Sequence, residues 1–182
     1  FADRVYRHFY HDGVLTPGGA TAIFDARAAE IDRAVVAESA RWGDAKTATP
    51  LTRNHWLSEI NNVRNNYLPG RPAIVLSQFR AQGWYPAFDP PVLGPRGGSV
   101  APGGTATITA GTGTPADGIL YFTTDGTDPR LPGGGVNPAA QTIASGTALP
   151  ITASQVVRAR TRSGTTWSAL EDVAFYVTQD YS

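Results

Sequence analysis

The chain has 182 residues, 15 Lys and Arg against 15 Asp and Glu, and no cysteine. Zero net charge gives no strong attraction to nucleic acid or an anionic membrane, and the missing thiols exclude disulfides, thiol catalysis and thiolate metal sites. There is no apolar run of about eighteen residues, so no membrane span is expected. The composition changes near residue 90, because 14 of the 20 glycines fall after it. Trp84-Tyr-Pro-Ala-Phe-Asp-Pro-Pro91 lies at the change, and no helix continues through it.

Four helices are predicted before that point. The first covers about Ala2–His11, with Val5, Tyr6 and Phe9 inward, and Gly13 stops it. Pro17-Gly18-Gly19 reads as a loop. The second runs from about Thr21 to Trp42. Phe24, Ala28, Ile31, Val35 and Trp42 share one stripe, Glu30/Arg33 and Glu38/Arg41 are paired on the wet side, and Gly43 is the C-terminal cap. Thr52 is the expected N-cap of the third, which points Trp56, Ile60, Val63 and Tyr67 inward. Asn61, Asn62, Asn65 and Asn66 are poor helix formers that belong on its exposed face or in specific bonds. Pro69-Gly70 breaks the chain, and Pro72 suits the first turn of a fourth helix ending near Gly83. Such a core is modest, and Trp42, Trp56 and Phe79 call for a covering partner.

After residue 91 the period becomes two. Strands are expected at Thr105–Ala110, Ile119–Thr124, Gln141–Ala144, Ala148–Thr152, Val156–Thr161 and Val173–Thr178, with a short edge piece near Val92. In Val156–Arg162, Val157, Ala159 and Thr161 face in, and Arg158, Arg160 and Arg162 face out. The expected fold is α+β with segregated domains: a four-helix segment over 1–83, a Pro-rich linker over 84–91, and an immunoglobulin-like β-sandwich of about seven strands over 92–182.

Two resemblances bear on this reading. Tyr121-Phe-Thr-Thr-Asp-Gly-Thr-Asp-Pro129, with Val156-Val-Arg-Ala-Arg160 and Trp167-Ser168, resembles the chitobiase/β-hexosaminidase C-terminal-type sandwich over roughly Gly98–Val177. That module is a non-catalytic appendage of secreted bacterial proteins. Asp3-Arg-Val-Tyr-Arg-His-Phe9, Glu30-Ile-Asp-Arg-Ala34, Glu38-Ser-Ala-Arg-Trp-Gly-Asp44 and Ala81-Gln-Gly-Trp-Tyr-Pro86 resemble the C-terminal end of CotH kinase-like proteins. In that family the nucleotide- and metal-binding residues belong to a core that these helices follow. The resemblance therefore implies a parent protein and carries no catalytic residue onto this chain. A chain that starts at Phe1 and holds no Met is expected to be an excerpt, with any targeting signal outside it; its N-terminus does not read as a signal peptide.

Candidate chemistry is sparse. His8 and His11 stand one helical turn apart, but a metal site needs a third ligand; with none visible they read as an exposed helix face. Asp125 and Asp128 flank Gly126 as in calcium loops, yet the further carboxylates are missing. The spacing fits a turn with Gly126 at positive φ. The Arg158/Arg160/Arg162 stripe suits an anionic glycan or cross-strand pairing with Asp125 or Glu171, and Trp167 either stacks on a sugar or closes the end of the sandwich core. No Gly-x-Ser-x-Gly elbow or phosphate loop occurs, and Gly97-Gly98 and Gly133–Gly135 read as hinges.

The expectation is a non-catalytic C-terminal portion of a larger secreted or cell-surface bacterial protein, its sandwich a spacer or interaction module. No catalytic, metal or cofactor residue is expected. A carbohydrate-binding accessory module and a structural subunit of an extracellular assembly are the alternatives. Partners would be surface polysaccharide or neighbouring protein domains, and not nucleic acid. The ligand-contact candidates are Trp167, Arg158, Arg160, Asp125 and Asp128.

Overall fold

A computed structural model describes residues 1–178; positions 179–182, the end of the expected sandwich segment, lie outside the described residues. The chain forms two compact units. One is Arg4–Ala81; the other joins Phe1–Asp3 to the chain from Gln82 onward. The first is helical and the second carries two β-sheets, so the chain combines helices with a β-sandwich.

The helices are α1 (Ala2–Phe9), α2 (Pro17–Trp42), α3 (Arg53–Asn62) and α4 (Arg71–Ala81), with a π-helical turn at Val63–Tyr67. Val5 and Tyr6 are buried, and α1 stops at Phe9 because His11 takes φ 55°, a left-handed conformation uncommon outside glycine. The chain then doubles back, and Leu15 N–H donates to the His8 carbonyl at 2.8 Å. A Cβ on Gly13 would run into that oxygen, so only glycine fits where the chain doubles back against α1. Helix α2 starts earlier than expected. Pro17-Gly18-Gly19 is its first turn, not a loop, because Thr16 Oγ1 accepts from Gly19 N–H at 3.2 Å and Pro17 occupies the position where no donor is needed.

Two Arg–Asp pairs pin α2 to the following segment. Arg53 donates to both oxygens of Asp32 at 2.7 and 2.8 Å, and Arg64 donates to Asp25 at 2.8 Å. Arg53 holds the Asp32 carboxyl below the ordinary aspartate range. The glutamate expected to pair with Arg33, Glu30, is held instead by Arg27 at 2.7 Å. These pairs set α3 antiparallel beside the front of α2, so the last turns of α2 run past it. Ala28 is buried, whereas Ile31 and Trp42 of the expected stripe are 50% and 56% exposed; the Trp42 ring is covered by the Arg41 guanidinium at 5.0 Å.

Tyr67 is also misplaced by an α-helical reading. Leu68 N–H donates to Val63 O at 3.0 Å, a five-residue step that inserts one extra residue into the turn. The insertion turns Tyr67 away from the half-buried Trp56, Ile60 and Val63, and it is 54% exposed under Arg71. The asparagines line the exposed side: Asn66 donates to Asn62 Oδ1 at 2.8 Å, and Asn61 Oδ1 accepts from Arg64 at 2.8 Å.

In the sheet-bearing unit the strands are β1 (Val92–Gly94), β2 (Gly98–Val100), β3 (Thr105–Thr109), β4 (Ile119–Thr123), β5 (Gln141–Ile143), β6 (Thr147–Pro150), β7 (Gln155–Ser163), β8 (Thr166–Trp167) and β9 (Glu171–Val177). One sheet runs β1-β3-β6. The other runs β2-β9-β7-β4-β5, with β8 hooked onto β7, and β2 parallel to β9. Strands β2 and β8 had no alternating apolar pattern to predict them. Leu93, Ala106, Ile108, Phe122, Ile151, Val157, Ala159, Val173 and Phe175 form the core. Residues 84–91, which read as a linker, are packed into this unit. Tyr85, Phe88, Pro90 and Pro91 are buried, and Asp89 N–H donates to Thr112 O at 2.9 Å. Prolines carry no N–H, so their burial strands no donor.

Candidate functional site

Of the residues singled out as ligand contacts, Arg160 and Asp128 are tied to each other on the outer face of the larger sheet, and the remaining three each pair with other residues. Strand β7 alternates as expected: Val157, Ala159 and Thr161 face the core, and the three arginines face away. Facing away does not mean solvated. Arg160 is only 3% exposed, because the segment between β4 and β5 folds over this face and brings Asp128 with it.

All five guanidinium N–H donors of Arg160 are used. Nε and Nη2 donate to Asp128 at 2.7 and 2.6 Å, Nη1 and Nη2 donate to Asp3 at 2.8 and 2.9 Å, and Nη1 also donates to the Ser168 carbonyl at 2.8 Å. Burial works to lower the Arg160 pKa, but the hydrogen bonds and charges of Asp128 and Asp3 outweigh it, and the net shift is upward. For Asp3, burial pushes upward, and Arg160 together with the Leu170 N–H at 2.8 Å reverses this to hold the carboxyl below the ordinary range. A guanidinium with no spare donor and two carboxylates has nothing left to offer a glycan or phosphate. Arg160, expected on an outward-facing stripe as a glycan contact or a partner of Asp125 or Glu171, is instead a buried ion saturated by Asp128, Asp3 and Ser168.

Arg158 stands directly across from Asp172 and pairs with it at 3.0 Å. Glu171, an expected partner for the stripe, is one residue out of phase. It faces inward, is fully buried, and accepts from Arg96 Nε at 2.9 Å. Period-two alternation decides this, since neighbouring residues on a strand point to opposite faces. The sequence reading missed Arg96–Glu171; an acid beside the apolar Val173/Phe175 alternation was its only trace.

The Asp125–Asp128 turn is built as its chemistry predicts. Gly126 takes φ 77°, and Asp125 Oδ1 accepts from Thr127 N–H and Oγ1–H at 2.9 and 2.7 Å. Those two bonds, the hydroxyl's the stronger, hold the Asp125 carboxyl below the ordinary range. Asp128 Oδ1 also accepts from Arg130 N–H at 2.9 Å.

Trp167 is 6% exposed. It lies on the outer face of the larger sheet instead of closing the end of the core, because β8 places it beside Arg162. Its ring centre is 5.5 Å from that of Tyr121, the Arg162 guanidinium sits 5.4 Å above it, and Nε1–H donates to Gly134 O at 2.8 Å. Gly133 and Gly134, read as a hinge, turn at φ 88° and 91° to deliver that carbonyl. No face of Trp167 is presented for a sugar to stack upon.

No known family, characterised protein or solved structure matches the chain.

The histidines separate. His11 Nε2 lies 2.7 Å from Tyr6 Oη beyond the end of α1, and His55 Nδ1 accepts from Thr52 N–H at 3.0 Å to start α3. Among the described residues no three His, Asp or Glu side chains gather as a metal ion would need. No helix there is long and apolar enough to cross a membrane. A groove of about 360 Å³ beside β5, lined by residues such as Ile119, Thr142, Ile143 and Ser145, holds no titratable group.

Proposed function

We propose that this chain is the non-catalytic C-terminal portion of a larger secreted or cell-surface bacterial protein, in which the sandwich serves as a spacer or interaction module. The observation that carries this reading is the saturation of Arg160 by Asp3, Asp128 and Ser168. The polar groups with the most chemical potential are spent on holding the sheet's outer face together, as a load-resisting scaffold requires.

The sandwich is read as immunoglobulin-like. Supporting this, the first part of the module is split between sheets: β1 lies on one, and β2 runs parallel to the last strand of the other. The helices are read as the C-terminal end of a CotH kinase-like protein on the motifs quoted above, and such a parent would hold the nucleotide-binding core. The test is incubation of the chain with labelled ATP, Mg²⁺ or Mn²⁺ and a protein acceptor. No phosphate transfer is expected, and ATP-dependent labelling that survives repurification would overturn the reading.

A further inference from the structure

We propose that the outer face of the larger sheet binds a carboxylated sugar at Arg162, near the end of β7. Arg158 and Arg160 are each paired with a carboxylate. Among the described residues Arg162 has neither a hydrogen-bond acceptor nor an ion-pair partner. Its Nε is buried without an acceptor, which is true of no other described arginine, and its two Nη groups are not buried. Asp117 reaches this end of the strand, but it accepts from Ser163 Oγ at 2.8 Å, and Ser163 points to the opposite face. A partly desolvated cation with no counter-ion is costly, and an anion arriving at the Nη groups relieves that cost.

The guanidinium is held ready for such a group. It lies 5.4 Å above the Trp167 ring, and Trp167 is anchored by the 2.8 Å bond from its Nε1–H to Gly134 O. Stacking on an indole fixes the planar fork, so the two oxygens of a carboxylate meet donors that need little ordering.

The surroundings select the kind of ligand. Strand β4 places Ile119 directly across from Arg162, and β5 places Thr142 across from Tyr121. Leu120 and Phe122 are buried, so Ile119 and Tyr121 share the outward face with Arg162, and Ile119 is 47% exposed. The Tyr121 hydroxyl has no partner among the described residues and is not buried. From Ile119 and Thr142 the surface continues into the groove of about 360 Å³ that Ser145 also lines. One cation beside hydroxyls and an apolar ridge matches a body of hydroxyl and C–H groups that carries a carboxylate, as a uronic acid chain does. An acidic peptide suits the site less well, because β5 has three residues and is too short an edge for a strand to add to. This inference goes beyond the scaffold role proposed above and rests on Arg162, which takes no part in the Arg160 cluster.

The test is titration of the full chain with tri-galacturonate, followed by NMR of the backbone amides and arginine Nε groups. Saturable shifts are expected at Arg162, Tyr121 and Thr142. Arg162→Gln, or methyl esterification of the trisaccharide, should weaken binding about tenfold or more. Ile119→Glu puts a carboxylate across from Arg162 at an exposed position and should abolish binding with the fold intact. No saturable shift at these residues, undiminished binding by Arg162→Gln or of the ester, or tighter binding of tri-glutamate than of the trisaccharide overturns the proposal. Should Arg162→Gln not fold, Ile119→Glu decides, and binding equal to that of the parent chain overturns the proposal.

Discussion

Asp128→Ala is the most informative single substitution, because it removes two of the five acceptors from a guanidinium that water cannot reach. The bonds lost are those at 2.7 and 2.6 Å, and the Arg130 N–H loses its 2.9 Å acceptor as well. Breaking one side of a buried ion pair costs about 3–5 kcal/mol, chiefly because the remaining charge is stranded. Asp128 is 33% exposed, so water enters part of the vacated space, and the lower end, about 3 kcal/mol, is the fair figure. For a cooperative unit of about 100 residues that corresponds to roughly 12 °C or more in melting temperature. Arg160→Met should cost less, although Arg160 is the more buried partner. The carboxylates it leaves behind, Asp3 and Asp128, are 49% and 33% exposed and can turn to water. Thermal and urea unfolding of the full chain, followed at Trp167 or by amide exchange in β7, gives both numbers. An Asp128→Ala midpoint within about 2 °C of the parent, or Arg160→Met as the more damaging change, would refute the reasoning.

Other outcomes follow from the same geometry. Trp167→Ala removes the Tyr121 and Arg162 contacts and the bond to Gly134, and should cost about 3–5 kcal/mol in urea unfolding of the sheet-bearing unit. The Asp3 carboxyl titrates lower in the folded chain than in the unfolded one, so its stabilisation is present above about pH 4 and is lost as pH falls through the folded value. Urea midpoints measured between pH 7 and pH 2.5 should therefore drop less in Asp3→Asn than in the parent. Gly43→Ala places a Cβ 2.5 Å from Ser39 O and 2.6 Å from Leu51 O, both backbone atoms, and should destabilise the helical unit by about 1–3 kcal/mol by circular dichroism melts.

Element types were legible where a single period dominated. The alternation in β7 and β9 placed Val157, Ala159, Val173 and Phe175 in the core without ambiguity. The Asp-Gly turn announced its own hydrogen bonds, since Asx chemistry is local. What stayed hidden was non-local. Nothing near β7 in sequence says that Asp128 and Asp3 will meet Arg160, because the residues come together only after the β4–β5 segment folds over the sheet. Thr16-Pro17 did carry a readable helix start, and the glycines after it obscured it. The π-turn at Val63–Tyr67 erased the 4-3-4 spacing that Tyr67 had suggested. Helix α2 lost part of its expected cover because the Asp25–Arg64 and Asp32–Arg53 pairs, which set the register of α3, link residues 39 and 21 positions apart.

The central claim, that Arg160 is a saturated structural ion and not a ligand contact, is tested most directly by nitrogen-detected NMR of the arginine side chains. The account predicts separate, slowly exchanging Nε–H and Nη–H signals for Arg160, each fixed by its own acceptor, beside averaged signals for an exposed arginine such as Arg27. Averaged, rapidly exchanging Nη–H signals from Arg160 would contradict it.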